Sequence, residues 1–147
     1  MRILALDMGE KNIGVAVSDP LEITAQGVEV IRRSNKKKDL ARIRELVQEY
    51  AVEKIVLGYP LNMDGSVGDK AREVLTFKEK LANVFALPVE IWDERLTTVA
   101  AQRTLLAANL RRSERKKVID KVAAVLILES YMQSRLSMDD QRGDREK

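Results

Sequence analysis

Three short strand-like runs open the chain, and helical and strand-like spacing then alternate to the end; this order constrains the fold more than any other feature. Arg2 to Asp7 is a continuous apolar run, Ile3-Leu4-Ala5-Leu6, ended by an acid. Met8-Gly9-Glu10-Lys11 supplies a turn, and Asn12 to Ser18 makes a second run. Asp19-Pro20 breaks it, because proline has no N–H to give to a ladder. Thr24 to Ile31 is a third, more alternating strand. Three strands joined by short turns pair as an antiparallel meander.

Helical spacing follows. Leu40, Ile43, Val47 and Tyr50 recur on one helical face, with Asp39 as the expected N-cap. Ile55-Val56-Leu57-Gly58 is a fourth strand, ended by Tyr59-Pro60, and Leu61 to Gly68 is a loop of turn formers. Val74, Phe77, Leu81, Val84 and Phe85 predict a helix over 69–86, and Val89 to Trp92 a fifth strand. Thr97 or Thr98 can cap a further helix carrying Val99, Ala100, Leu106 and Leu110. The last helix begins between Ser113 and Ile119 and runs to about Leu136. The order predicts an α/β fold with a mixed five-stranded sheet and helices on both faces. It forms one domain over residues 1–136, with a polar, disordered tail over 137–147.

Composition removes several chemistries. The 147 residues include no His and no Cys, so a Ser-His-Asp triad, a thiolate nucleophile and a disulfide are excluded. A strong metal site must be built from oxygen ligands, which suit Mg²⁺ or Mn²⁺ rather than zinc or copper. The opening apolar run breaks at Asp7, too early for a signal peptide, and no apolar run reaches the roughly 20 residues of a membrane helix. A cytoplasmic protein without membrane contact is expected. The net charge of +3 hides a segregation. Residues 32–44 carry seven basic side chains against Asp39 alone, a net +6. Residues 103–121 carry seven against Glu114 and Asp120, a net +5. Such clustering is the footprint of a nucleic-acid binder, although each run by itself also suits a solvated helix end.

Acids stand at element ends: Asp7 after the first strand, Asp93-Glu94 after the fifth, Asp120 early in the last helix. Acids there are costly unless paired, hydrogen-bonded or bound to metal. Gly9 can take a positive φ and turn the backbone closely around an ion or phosphate. Asp93 and Glu94 should diverge, one towards the Asp7 end of the sheet and the other towards solvent or Arg95. Asp120 shares a small apolar face with Ala123, Ala124 and Ile127, which would carry it to the sheet edge. In the loop over Gly58–Gly68, the glycines, Asn62 and Ser66 can offer backbone N–H groups to phosphate.

Four blocks in order carry a family resemblance: Arg2 to Gly9 running on to Lys11–Asp19; Gly58-Tyr59-Pro60-Leu61-Asn62-Met63-Asp64-Gly65-Ser66; Asp93-Glu94-Arg95-Leu96-Thr97-Thr98; and Asp120 to Leu128. Together they resemble the YqgF family of pre-16S rRNA nucleases, related to RuvC-type Holliday-junction resolvases. The resemblance implies a ribonuclease H-like fold, with Asp7, Glu94 and Asp120 matching the family's acidic triad. Two positions depart from the family pattern: Asn12 stands where Arg is usual, and Tyr59 where Leu is usual. The expected activity is metal-dependent hydrolysis of phosphodiester bonds in structured RNA, in 5′-end processing of pre-16S rRNA. Asp7 would bridge two Mg²⁺ or Mn²⁺ ions, with Glu94 and Asp120 holding one each. Lys11, Arg95 and the run Arg111, Arg112, Arg115, Lys116 and Lys117 would contact phosphates. Rival expectations are a resolvase acting on branched DNA, which needs a dimer for paired cuts, and a non-catalytic RNA-binding or transcription factor. The chain is expected as a monomer or homodimer. An actin-like sugar kinase shares the opening Asp-x-Gly hairpin but needs two such lobes.

Overall fold

Strand alternation assigns each side chain to a face. In β1 (Arg2–Met8), Leu4 and Leu6 point to one side of the sheet, and Ile3, Ala5 and Asp7 to the other. β2 (Asn12–Ser18) returns antiparallel, placing Leu6 opposite Val15 and Asp7 opposite Gly14, and β3 (Ala25–Arg32) pairs antiparallel with β2. β4 (Val52–Tyr59) lies parallel to β1 on its other edge, and β5 (Val89–Asp93) parallel to β4. The five-stranded order is β3-β2-β1-β4-β5, so the meander and the mixed sheet both form as the element order dictates. This computed structural model describes residues 1–96 and 112–145, with side chains of the final helix described over 119–136.

Two helices cover one face. α1 (Lys36–Glu49) and α2 (Asp69–Val84) bury Leu40, Ile43, Leu46, Val74, Phe77 and Leu81 against Leu4, Leu6, Val15, Ile55 and Leu57. The cap of α1 is Asn35, not Asp39: the Asn35 side chain accepts the Lys38 N–H at 2.9 Å. The first turn is wholly polar, so apolar spacing alone starts the helix too late. Asp39 is buried within the helix and accepts the Ser34 N–H at 3.2 Å.

On the opposite face lies α3 (Arg112–Arg145), 34 residues long. It buries Ala123, Ala124, Ile127, Leu128, Tyr131 and Met132 against Ile3, Ala5, Ala16 and Val56. Its described part begins at Arg112, one residue before the expected range, and runs on past Leu136 to Arg145. Polar anchors fix it: the Tyr131 hydroxyl donates to Glu90 at 2.6 Å, and Trp92 Nε1 donates to Ser130 Oγ at 3.1 Å. Lys54 Nζ completes the cluster at 3.0 Å from Glu90. The helix expected over Val99, Ala100, Leu106 and Leu110, with its Thr97 or Thr98 cap, lies outside the described residues. Among the described residues no helix is long and apolar enough to cross a membrane.

Candidate functional site

β1, β4 and β5 run in the same direction, so their carboxyl ends share one edge of the sheet, where α/β sheets bind ligands. Asp7 stands there, next to the last residue of β1 and only 2% exposed. Glu94 follows the last residue of β5 and opens a single 3₁₀ turn, Glu94–Leu96. Asp120 arrives from above, where α3 crosses β2. The three acids line one cleft of about 270 Å³, together with Gly9, Glu10, Lys11, Asn12, Gly58 and Lys70.

Missing β-carbons make that meeting sterically feasible. A Cβ on Gly14 would overlap the backbone carbonyl of Asp120, so the helix lies directly on β2 at this point. A Cβ on Gly58 would come within 2.9 Å of Glu94 Oε1 and 2.5 Å of Ile127 Cδ1. A Cβ on Gly9 would stand 3.1 and 3.2 Å from the two Asp120 carboxylate oxygens. Gly9 therefore serves by its size and not by a positive φ, which among the described glycines belongs to Gly65. Because Leu6 pairs with Leu57, Asp7 neighbours Gly58, and the carboxylates of Glu94 and Asp120 overhang the strands on either side of it. As placed, no group of three or more acidic side chains among the described residues is close enough to hold a metal ion. The carboxylates border a shared space and do not form a finished cage.

The neighbouring acid Asp93 turns elsewhere. Arg95 donates to it from Nε at 3.1 Å, from Nη2 at 2.8 Å and from its backbone N–H at 2.9 Å. Those bonds from Arg95 hold the Asp93 carboxyl below its ordinary pKa. Arg95 is thus engaged beside the cleft, close to Gly65, and does not line it. Lys11 does line it and is exposed. Arg111 lies outside the described residues, as do the side chains of Arg112, Arg115, Lys116 and Lys117. The backbone of those four occupies the start of α3, leading into Asp120. The loop after β4 spends its N–H groups on itself: Asn62 N–H bonds Ser66 O, Gly65 N–H bonds Asn62 O, and Ser66 N–H bonds Asp64 Oδ1. Those three are not available to a phosphate as the sequence led one to expect.

Lys70, Glu10 and Asn12 were not singled out as site residues by sequence reasoning. Lys70 carried a readable signal. It stands in the first turn of α2, where a cation opposes the helix macrodipole and needs another reason to be there.

A family model described as "RuvX: Holliday junction resolvase" matches residues 1–134. The chain belongs to the RuvX family. This is the family named above as YqgF. A relative from Desulforamulus reducens, named "Putative pre-16S rRNA nuclease", is 53% identical over 134 residues, covering 91% of this chain and 98% of that protein. One of the same name from Clostridium novyi is 50% identical over 134 residues, covering 91% and 99%. Among solved structures, Thermus thermophilus RuvC in complex with a Holliday junction substrate superposes with TM-score 0.58 at 15% identity, covering 93% of this chain and 96% of that one. The fowlpox virus Holliday junction resolvase gives TM-score 0.51 at 19% identity, covering 91% and 99%. At such identities the likeness is one of fold, and the fold of this RuvX chain is the ribonuclease H-like one of RuvC.

Proposed function

We propose that this chain hydrolyses phosphodiester bonds in structured RNA from the Asp7–Glu94–Asp120 cleft, and that its substrate is the 5′ region of precursor 16S rRNA in the bacterial cytoplasm. The supporting observation is that acids distant in sequence border one cleft at the carboxyl edge of the sheet. Relatives half identical to this chain bear the name of a pre-16S rRNA nuclease.

The donor set fits a hard divalent cation. It is all oxygen, and Gly9 and Gly58 leave room beside the carboxylates. Asp7, central and buried, would be shared, with Glu94 and Asp120 as the outer ligands; Mg²⁺ or Mn²⁺ held there supplies charge stabilisation at the reacting phosphate. The chain does the rest. The backbone of Asp7 is held by its pairing with Gly14 of β2, and the residue is 2% exposed, so its carboxylate has little freedom to lose. Lys11 would hold a phosphate oxygen at the mouth, positioning the strand without reading its sequence.

The deciding experiment incubates purified protein with precursor 16S rRNA and with a synthetic four-way DNA junction, with and without Mg²⁺ or Mn²⁺, beside Asp7→Asn. Metal-dependent cleavage of the RNA is expected from the unsubstituted protein. The variant should melt no lower, bind RNA as well without metal, and lose cleavage by more than the roughly 100-fold that loss of an outer-shell partner costs a metal site. Wild-type-like cleavage by a well-folded variant would end the proposal. Paired cuts in the junction, made by a dimer, would favour the second reading, a DNA resolvase, to which the family description points. RNA binding that survives alanine at all three acids, with no cleavage under any condition, would make the chain a binding factor.

A further inference from the structure

The cleft does not end at the acids. Across Met8, Gly9 and Glu10 it continues into a hollow of about 430 Å³ walled by Arg33, Ser34, Lys70 and Glu73. Past Arg33 it reaches a smaller hollow of about 150 Å³ between α1 and α2, where Met8 and Phe77 meet Lys36 and Lys80; of its two acids, Glu73 is paired with Arg33 and Asp39 is buried. Arg33 builds the wall between them. Its backbone N–H donates to Lys11 O at 2.8 Å, its Nη1 donates to Gly9 O at 2.8 Å, and its Nη2 pairs with Glu73. The lysines are different: Lys36, Lys70 and Lys80 are all exposed along the route. Lys36 opens the first turn of α1, followed by Lys37 and Lys38, and Lys70 lies in the first turn of α2. Cations at both helix starts oppose the macrodipole, a cost that Asp39 and Asp69 in the same turns reduce and that a polyanion lying across them would offset further. Here, too, lies the start of the +6 segment at 32–44, in which Arg33 pairs with Glu73 and Arg42 with Glu29 and Glu45.

We infer that this groove carries the sugar-phosphate backbone of the substrate strand as it leaves the cleft, in single-stranded form, with Lys70, Lys36 and Lys80 against its phosphates. The inference rests on the reading of the acids as a nuclease site. A hollow of about 150 Å³ leaves room for one strand and not for a duplex.

The test is metal-free binding of labelled single-stranded RNAs of nested length, trimmed from either end, to the full chain and to Lys36→Ala/Lys70→Ala/Lys80→Ala. Each phosphate contact on a single strand contributes about 0.7 to the slope of log K against log[salt]. Losing three should flatten the slope by about 2 and, against a 1 M reference, weaken binding on the order of 50-fold at 0.15 M salt. The loss should disappear for RNAs trimmed from the end that enters the groove, and Lys→Arg at the same positions should restore binding. Thermal melts of each variant check that folding is intact. Equal slopes for wild type and triple variant at every length, from a wild type that still binds and cleaves, would overturn the groove and leave the nuclease reading standing. The expected slope change in a wild type that never cleaves would do the reverse. A duplex held as tightly as a single strand, with the same slope change, would also overturn the single-strand inference.

Discussion

The two faces of the sheet are built on different principles. Under α1 and α2 the strands present Leu4, Leu6, Ile13, Val15, Ile55 and Leu57, and the helices stand off on bulky side chains. Under α3 they present Ile3 and Val56 but also Ala5, Ala16, Gly14 and Gly58, and at Gly14 the helix backbone comes down onto β2. The first face stabilises through apolar area, at roughly 25 cal/mol for each Å² removed from water. The second gives up some of that area for proximity. Proximity is what lets Asp120, a helical residue, reach the carboxyl edge of β1, where Asp7 stands. The acids gather on the face that carries these glycines and alanines.

The sharpest way to break this contrast is to exchange the effects. Gly14→Ala adds a single methyl, but that methyl overlaps the Asp120 carbonyl. Overpacking of this kind costs about 1–3 kcal/mol, and a 1 Å displacement of a reacting group can cost roughly 100-fold in rate. Leu57→Ala on the other face should cost about 2–5 kcal/mol through a cavity, yet leave cleavage per folded molecule unchanged. Thermal melts with cleavage rates normalised to the folded fraction measure both. If Gly14→Ala cleaves normally, the close approach of α3 has no functional meaning.

Adjacent acids sharpen the comparison at the next level of effect. Glu94→Gln should abolish most cleavage with little change in melting temperature, because Glu94 overhangs Gly58 inside the cleft. Asp93→Asn removes a partly exposed pair with Arg95 and should cost only about 0.2–1 kcal/mol, with cleavage largely retained. Reversed outcomes would mean that the chain leaves β5 by a different path.

The smallest effect concerns the anchor of α3. Burial works against ionised Glu90, but hydrogen bonds from Tyr131 and Lys54 outweigh it and hold its carboxyl below the usual range. A depressed carboxyl contributes stability that is fully present above its unfolded value and lost as pH falls through the folded one. Tyr131→Phe should therefore melt slightly lower than wild type near neutrality, and the gap should close on acidification below about pH 4. Glu90 is half-exposed, so the gap amounts to a few tenths of a kcal/mol in order of magnitude. A gap that does not vary with pH would assign the loss to the hydroxyl itself and not to the charge of Glu90, because the ring that meets Trp92 edge-on at 5.7 Å is kept in the variant.

Much of the molecule was legible in the residues because periodicity is a local property. The opening meander, the strands β4 and β5, and the amphipathic α1 and α2 follow from apolar spacing and from breakers such as Asp19-Pro20. The acids at element ends were visible for the same reason. Other features depended on reading short polar signals correctly. Asn35 and Asp39 are both good capping residues, and only the path of the chain before Lys36 selects Asn35. The loop over Asn62–Ser66 looked like an anion cradle by composition, but its hydrogen bonds close internally. Lys70 was passed over because its neighbours in the cleft come from β1 and α3, far away in sequence.

The sequence by itself determined which residues could do the chemistry: with no His and no Cys, only oxygen ligands and cations were left, and the apolar pattern put Asp7 and the Asp93-Glu94 pair at strand ends. The tertiary structure decided how they meet. It sent Asp93 to Arg95 and Glu94 to the cleft, and it ran the groove on from the acids to α1 and α2. Above all it placed Asp120 over Gly9 and Gly14. The reason is one of range. Propensity and alternation act over a few residues, whereas the contact of α3 with β2 joins positions 14 and 120, and only the packed sheet makes it known that Gly14 had to be small.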